Sequence, residues 1–321
     1  MLQHFDADTG ELGLALRSHT RFKCAAYSPN GLQIATVSLK DEVELWNTQS
    51  CAVEHVIQTQ EAVSIVAYSP CGRWIALLME TGGVDVWDAR SESSRHQCPG
   101  SHAAISLTFS PNGLEFAVGY RGGDIRVWET STWCRKRIIK GGGRWMAYVV
   151  YPPESSRLTC HFESGAKGIR LFDDNGKTLR HILEHDKLKF EQFAYSSCGQ
   201  WIAAAYGPMV HLWTSTSDGE ESNWVHATTV EGFFGRVRNV VWRPNTTEFA
   251  TASEDGSIRT WKVQEESGHV SAQLLWGHGG TAFTAPGAVL VGSVGLSTVG
   301  RKLLEQRGAI FEYPSSANDG A

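Results

Sequence analysis

An aromatic residue returns along this chain at Phe5, Trp46, Trp87, Trp128, Phe172, Trp213 and Trp261, at intervals of 41, 41, 41, 44, 41 and 48 residues. A second aromatic series runs between these positions, at Tyr27, Tyr68, Phe109, Tyr151, Tyr195, Trp242 and Trp276. Its first three members precede Ser28-Pro29-Asn30-Gly31, Ser69-Pro70-Cys71-Gly72 and Ser110-Pro111-Asn112-Gly113. Two series in step at one period mean one supersecondary unit copied along an array. Each copy then buries its apolar faces only against its neighbours.

Within a copy the apolar residues alternate, as at Val63, Ile65 and Ala67 and at Val84 and Val86 around Asp85, which is the period of a strand. Pro followed by Gly is turn chemistry, because Pro presets φ and Gly accepts the positive φ of a tight reversal. Gly82-Gly83 and Gly122-Gly123 mark the next reversal. A copy therefore reads as strand, turn, strand, turn, strand, with one more strand to complete a four-stranded antiparallel sheet. Such a sheet has two faces to cover, so copies stack radially; the expected fold is all-β, a seven-bladed β-propeller. Phe5 leaves room only for a last strand at residues 2–6, while the other chain end offers strands near 271–276, 281–285 and 288–292 with no closing aromatic. Pairing of 2–6 with 288–292 would give six full blades plus one composite blade from the two chain ends. The propeller is expected over 1–295 and a short C-terminal helix and extension over 296–312, where Leu296, Val299, Leu303 and Leu304 have helical spacing between Ser297 and Gly308. Residues 313–321 have the composition of a disordered tail.

Trp87-Asp88, Trp46-Asn47, Trp128-Glu129 and Phe172-Asp173 resemble the Trp-Asp ending of WD repeats, and Ser18-His19, Ser101-His102 and Glu184-His185 stand where that family has Gly-His. The resemblance runs from about residue 2 to 292 and is weaker in the fourth copy, where Pro152-Pro153-Glu154 replaces the Ser-Pro turn. It implies a propeller whose rim binds partner proteins. It also implies a buried polar network in each blade, built on a His at the start of the unit and an Asp six residues before the Trp. Asp255 has that offset from Trp261, but Phe233 stands in place of the His, and Asp41 is one residue out of register with Trp46. No complete network is expected, and apolar packing should hold the blades. The segment after 292 resembles the end of WD-repeat proteins of early-diverging fungi, some of which carry NACHT and pentapeptide modules.

A formal charge of −5 and a pI near 6.2 argue against a general nucleic-acid binder, which would need a basic stripe against phosphates. Cys24, Cys51, Cys71, Cys98, Cys134, Cys160 and Cys198 form no Cys-x-x-Cys pair and read as reduced thiols. The start carries no signal peptide pattern, and the apolar-rich run from Ala285 to Leu296 is too short and too glycine-broken to cross a bilayer. A cytoplasmic location without membrane attachment is expected, with a nuclear one also compatible.

Chemistry is hard to find. Gly295 to Gly300 followed by Arg301-Lys302-Leu303 lacks the Lys and hydroxyl positions of a phosphate loop. His181 and His185 share a face only in a helix, and Cys160-His161 lies in an expected strand that sends neighbours to opposite faces. No catalytic residue, metal ligand or cofactor is expected.

What remains is surface. Gly141-Gly142-Gly143-Arg144-Trp145 and Gly232-Phe233-Phe234-Gly235-Arg236 replace the loops leading into the first strands of their copies. Arg and large aromatics dominate binding hot spots. Arg144, Trp145, Phe233, Phe234 and Arg236 are therefore the candidate protein-binding residues, expected on one rim, although Trp145 and Phe233 equally suit plugs for the missing His. The expected function is a non-catalytic scaffold or recognition module for a protein or peptide, as a monomeric propeller or part of a larger assembly. The alternatives are a ligand- or glycan-sensing propeller of a larger NACHT-type receptor, and an enzyme using the central funnel.

Overall fold

The computed structural model describes residues 2–16, 22–40, 42–89, 95–100, 103–140, 147–153, 157–162, 169–172, 178–183, 190–216, 224–279, 289–291 and 310–312. Two compact units divide the chain, one over Met1–Asp6 and Glu11–Lys187, the other over Ala7–Gly10 and Leu188–Ala321. Every element among the described residues is a strand.

The first unit opens with a hairpin of β1 (Leu2–Phe5) and β2 (Leu12–Leu16). Four four-stranded antiparallel sheets follow in chain order. They are β3 (Phe22–Tyr27), β4 (Gln33–Ser38), β5 (Glu42–Asn47) and β6 (Val53–Gln58); then β7 (Val63–Tyr68), β8 (Trp74–Met79), β9 (Val84–Asp88) and β10 (Arg95–Cys98). Next come β11 (Ala104–Phe109), β12 (Glu115–Tyr120), β13 (Asp124–Glu129) and β14 (Arg135–Lys140), and β15 (Ala147–Val150), β16 (Leu158–Phe162), β17 (Ile169–Phe172) and β18 (Thr178–Leu183). The second unit holds β19 (Phe190–Tyr195), β20 (Trp201–Tyr206), β21 (Met209–Ser215) and β22 (Trp224–Val230), and β23 (Val237–Trp242), β24 (Glu248–Ser253), β25 (Ser257–Glu266) and β26 (His269–Gly279). A short pair, β27 (Val289–Val291) and β28 (Ile310–Glu312), is parallel. These six four-stranded sheets among the described residues are the blades that the repeat implied.

Each sheet is a meander because its turns are local. In the first, the Gly31 amide donates to the Ser28 carbonyl at 2.9 Å, and the Ser28 hydroxyl receives the Gln33 amide at 2.9 Å. Ser69 and Ser110 repeat the arrangement, with the Trp74 and Glu115 amides at 2.9 Å. Ser196-Ser197-Cys198-Gly199 builds the same turn without proline, Gly199 donating to the Ser196 carbonyl at 2.9 Å. Serine and glycine at that spacing carry the turn, and proline only prebiases it.

Sheets stack by interleaving apolar side chains. Val37, Val43 and Leu45 of the first sheet meet Val63, Val66 and Leu77 of the second, and Leu78 and Val86 of the second meet Phe109 and Phe116 of the third. In the second unit Ala203, Val210 and Leu212 pack against Val240, Phe249 and Trp261. Buried charge also enters the first unit. Glu115 accepts from Lys136 at 2.6 Å, from both terminal nitrogens of Arg137 at 3.2 and 3.1 Å, and from the Tyr151 hydroxyl at 3.2 Å. Loss of these charge-assisted bonds in Glu115→Ala is expected to cost about 1.5–3 kcal/mol in a urea titration.

The chain ends differ from expectation. Residues 271–276 belong to β26, the outer strand of the sixth sheet, and do not start a new blade; Trp276 therefore stands outside the first-strand aromatic series. The cause is a two-residue turn at Ser267 and Gly268, both with positive φ, which extends the β25–β26 hairpin. At the start of the chain β1 is followed by a second strand, β2, which pairs with it, and Val289–Val291 pairs in parallel with Ile310–Glu312. The expected strand at 281–285, the helix at 296–308 and the tail at 313–321 lie outside the described residues.

Candidate functional site

The loop at 231–236 leads into β23 and is built by its contacts with the β24–β25 turn. Gly232 has φ of 94°, a conformation that glycine adopts without penalty. A Cβ on Gly235 would come within 2.6 Å of the Asp255 amide nitrogen, so no side chain fits there. The Glu254 amide donates to the Arg236 carbonyl at 2.8 Å, and the Ser253 hydroxyl to the Gly235 carbonyl at 3.1 Å.

At the centre lies Arg259 of β25, whose side chain is fully buried. It donates to Asp255 Oδ2 at 3.0 Å and to the Gly232 carbonyl at 2.7 Å, and its guanidinium covers the Phe233 ring at 4.4 Å. Asp255 Oδ2 also receives the Phe234 amide at 3.1 Å, while Oδ1 receives the Ser257 amide at 2.8 Å. Burial alone would push the Asp255 carboxyl up, but the Ser257 and Phe234 donors and the Arg259 charge hold it below the ordinary range. Phe233 closes the cluster from below, its ring 5.7 Å from that of Trp261.

Phe233 is consequently a core residue, which corrects its expected place as a surface anchor. It fills the space of the missing His, and Arg259 supplies the polar contact to Asp255. Phe234, the next residue, points outward and is 77% exposed. Arg236 is exposed and pairs with Glu191 at 3.3 Å; Arg238 pairs with the same carboxylate at 2.9 Å and with Glu254. An apolar ring thus stands beside a rim of paired charges. Arg144 and Trp145 lie outside the described residues, as do His102 and His185.

Sequence reasoning missed Arg259 and Arg238. Asp255 was visible at its offset from Trp261, and an arginine four residues later was the available signal. Trp46 Nε1 donates to Thr36 at 2.9 Å and Trp261 Nε1 to Thr251 at 3.0 Å, whereas Leu77, Val118 and Ala203 occupy the same offset before Trp87, Trp128 and Trp213.

Among the described residues no group of three or more His, Cys, Asp or Glu side chains could hold a metal, and no helix is long and apolar enough to cross a membrane. The arrangement is suited to burying an aromatic ring against a partner.

Residues 93–129 and 224–262 match the WD domain, G-beta repeat family. The chain is 27% identical over 122 residues to the probable cytosolic iron-sulfur protein assembly protein 1 of Chaetomium globosum, covering 32% of this chain and 27% of that protein. It is 23% identical over 156 residues to cilia- and flagella-associated protein 57 of Mus musculus, covering 46% and 12% of the two chains. With elongator complex protein 2 of Dictyostelium discoideum it shares 31% identity over 72 residues, 21% of this chain and 8% of the other. The matched part is thus about a quarter or less of each relative's length.

Proposed function

We propose that this chain, a WD-repeat protein, is a non-catalytic interaction module that captures a protein or peptide partner on the loops leading into the first strands of its sheets. The observation that carries the reading is the contrast between two adjacent phenylalanines. Phe233 is locked under Arg259, and the Phe234 amide is tied to Asp255, so Phe234 is held outward by a loop already fixed in place. Fully burying such a ring gains about 1.5–3 kcal/mol, and a pre-ordered loop loses little entropy in doing so. Arg236 contributes directional donors beside it. Arg144 and Trp145 are proposed to serve the same partner. That two relatives are an assembly protein and a complex subunit by name fits an association role, and a cytoplasmic location is part of the same proposal.

A Phe234→Ala, Arg236→Ala double variant is expected to keep its melting profile, since both side chains are exposed. A photo-crosslinking residue at position 234 should capture a defined protein from cell extract, and excess unlabelled wild-type chain should compete for it while the double variant does not. Equal competition by the folded variant would refute the loop as the binding surface.

A further inference from the structure

In the first unit the Ser-Pro turns stand side by side. A Cβ on Gly72 would touch Pro29 Cδ at 3.6 Å, and one on Gly113 would touch Pro70 Cδ at 3.8 Å. Between the β3–β4 and β7–β8 turns opens a groove of about 580 Å³, with Pro29, Leu32 and Pro70 among its walls. Leu32 is 51% exposed, so an apolar surface faces solvent there.

Among the described residues, Glu54 is the one charged side chain in the lining. Its carboxylate is held by neutral donors: Asn47 Nδ2 reaches Oε1 at 2.9 Å and Gln33 Nε2 reaches Oε2 at 3.1 Å. Gln33 is itself oriented, because its Oε1 accepts from the Tyr68 hydroxyl at 2.7 Å. The two amides, with a smaller contribution from the charge of His55, hold the Glu54 carboxyl below its ordinary range, and it keeps its negative charge. Asp88 and Asp124 of this unit are instead answered by cations, Asp88 by Arg73 at 3.2 Å and Asp124 by Lys140 at 2.8 Å. Each Glu54 oxygen has acceptor capacity beyond its one amide donor.

We propose that this groove binds a cationic side chain, an arginine or lysine on a peptide segment of a partner protein, with its alkyl stem between Pro29, Leu32 and Pro70 and its charged head on Glu54. Long basic side chains bury their stems on apolar surface while the head meets a charge, and a fixed carboxylate is the complement that selects them. The groove belongs to the first unit and the Phe234 loop to the second, and the proposal does not rest on that loop.

Cys71 lines the groove and is exposed, which makes its alkylation a reporter, with exposed Cys134 and Cys198 as controls within the same molecule. The full chain would be treated with iodoacetamide in rising concentrations of the peptide acetyl-Ala-Ala-Arg-Ala-Ala-amide, or of its citrulline counterpart, which keeps the shape and removes the charge. Peptide mapping then reads each thiol. At about ten times its dissociation constant the arginine peptide should slow Cys71 alkylation roughly tenfold, leaving Cys134 and Cys198 unchanged. The citrulline peptide should not protect, and Glu54→Gln should abolish protection while leaving the control thiols and the melting profile as in the wild type. The proposal fails if the arginine peptide gives no protection up to its solubility, if both peptides protect equally, or if protection survives Glu54→Gln.

Discussion

Asp255→Ala is expected to lower the unfolding free energy of the second unit by about 3–5 kcal/mol, because it leaves the buried guanidinium of Arg259 without its counter-charge. Attraction between two buried ions offsets their desolvation only while both are present. Removing the carboxylate leaves the desolvation of the cation and withdraws the acceptor that holds the Ser257 and Phe234 amides. A urea titration followed by tryptophan fluorescence would read the loss, and a change under about 1 kcal/mol would mean that Arg259 regains water when its partner goes, as surface pairs do. Replacing both members by apolar residues of similar volume should cost much less than Asp255→Ala alone. The same pair sets a pH dependence. Asp255 has a folded pKa below its unfolded value, so its contribution is complete above the ordinary aspartate range and is lost as the pH falls through the folded pKa. Glu115 acts in the same direction in the first unit, where Lys136 and Arg137 outweigh the effect of burial.

Trp261→Ala should cost a similar amount, about 3–5 kcal/mol, for a different reason. The indole is wholly buried between Phe233 and Phe249, and its loss opens a cavity that strands on both sides cannot close. Thr251→Val tests the polar half of the same contact. It removes the acceptor of the indole N–H while nearly preserving volume, and should cost only about 1–3 kcal/mol as an unsatisfied buried donor. The ratio of the two losses measures how far packing outweighs the residual polar network. Equal losses would show that the Trp–Thr bond matters more than the cavity.

Determinants that are local were legible before any coordinates. Alternation at Val63 to Ala67, serine and glycine at fixed spacing in the first turns of four of the sheets, and the recurring aromatic of each third strand are properties of a few adjacent residues repeated in step. They suffice for four-stranded meanders, and for the stacking of one on the next. Register at the chain ends was less legible. A short apolar run such as 271–276 suits a first strand or an outer strand equally, and the Ser267-Gly268 turn decides it by folding that run back on β25.

Only the tertiary structure separates Phe233 from Phe234. A loop has no period, so nothing in its composition says which of two identical neighbours turns inward. That choice is made by Arg259, brought from another strand to cover one ring, and by Asp255, which holds the amide of the next. Glu54 likewise becomes a candidate site only where the turns of two sheets leave a groove above it. The repeated sequence determines the sheets through short-range periodicity, whereas burial of a loop side chain and the setting of a surface charge depend on groups far apart in the chain that meet only after the sheets have stacked.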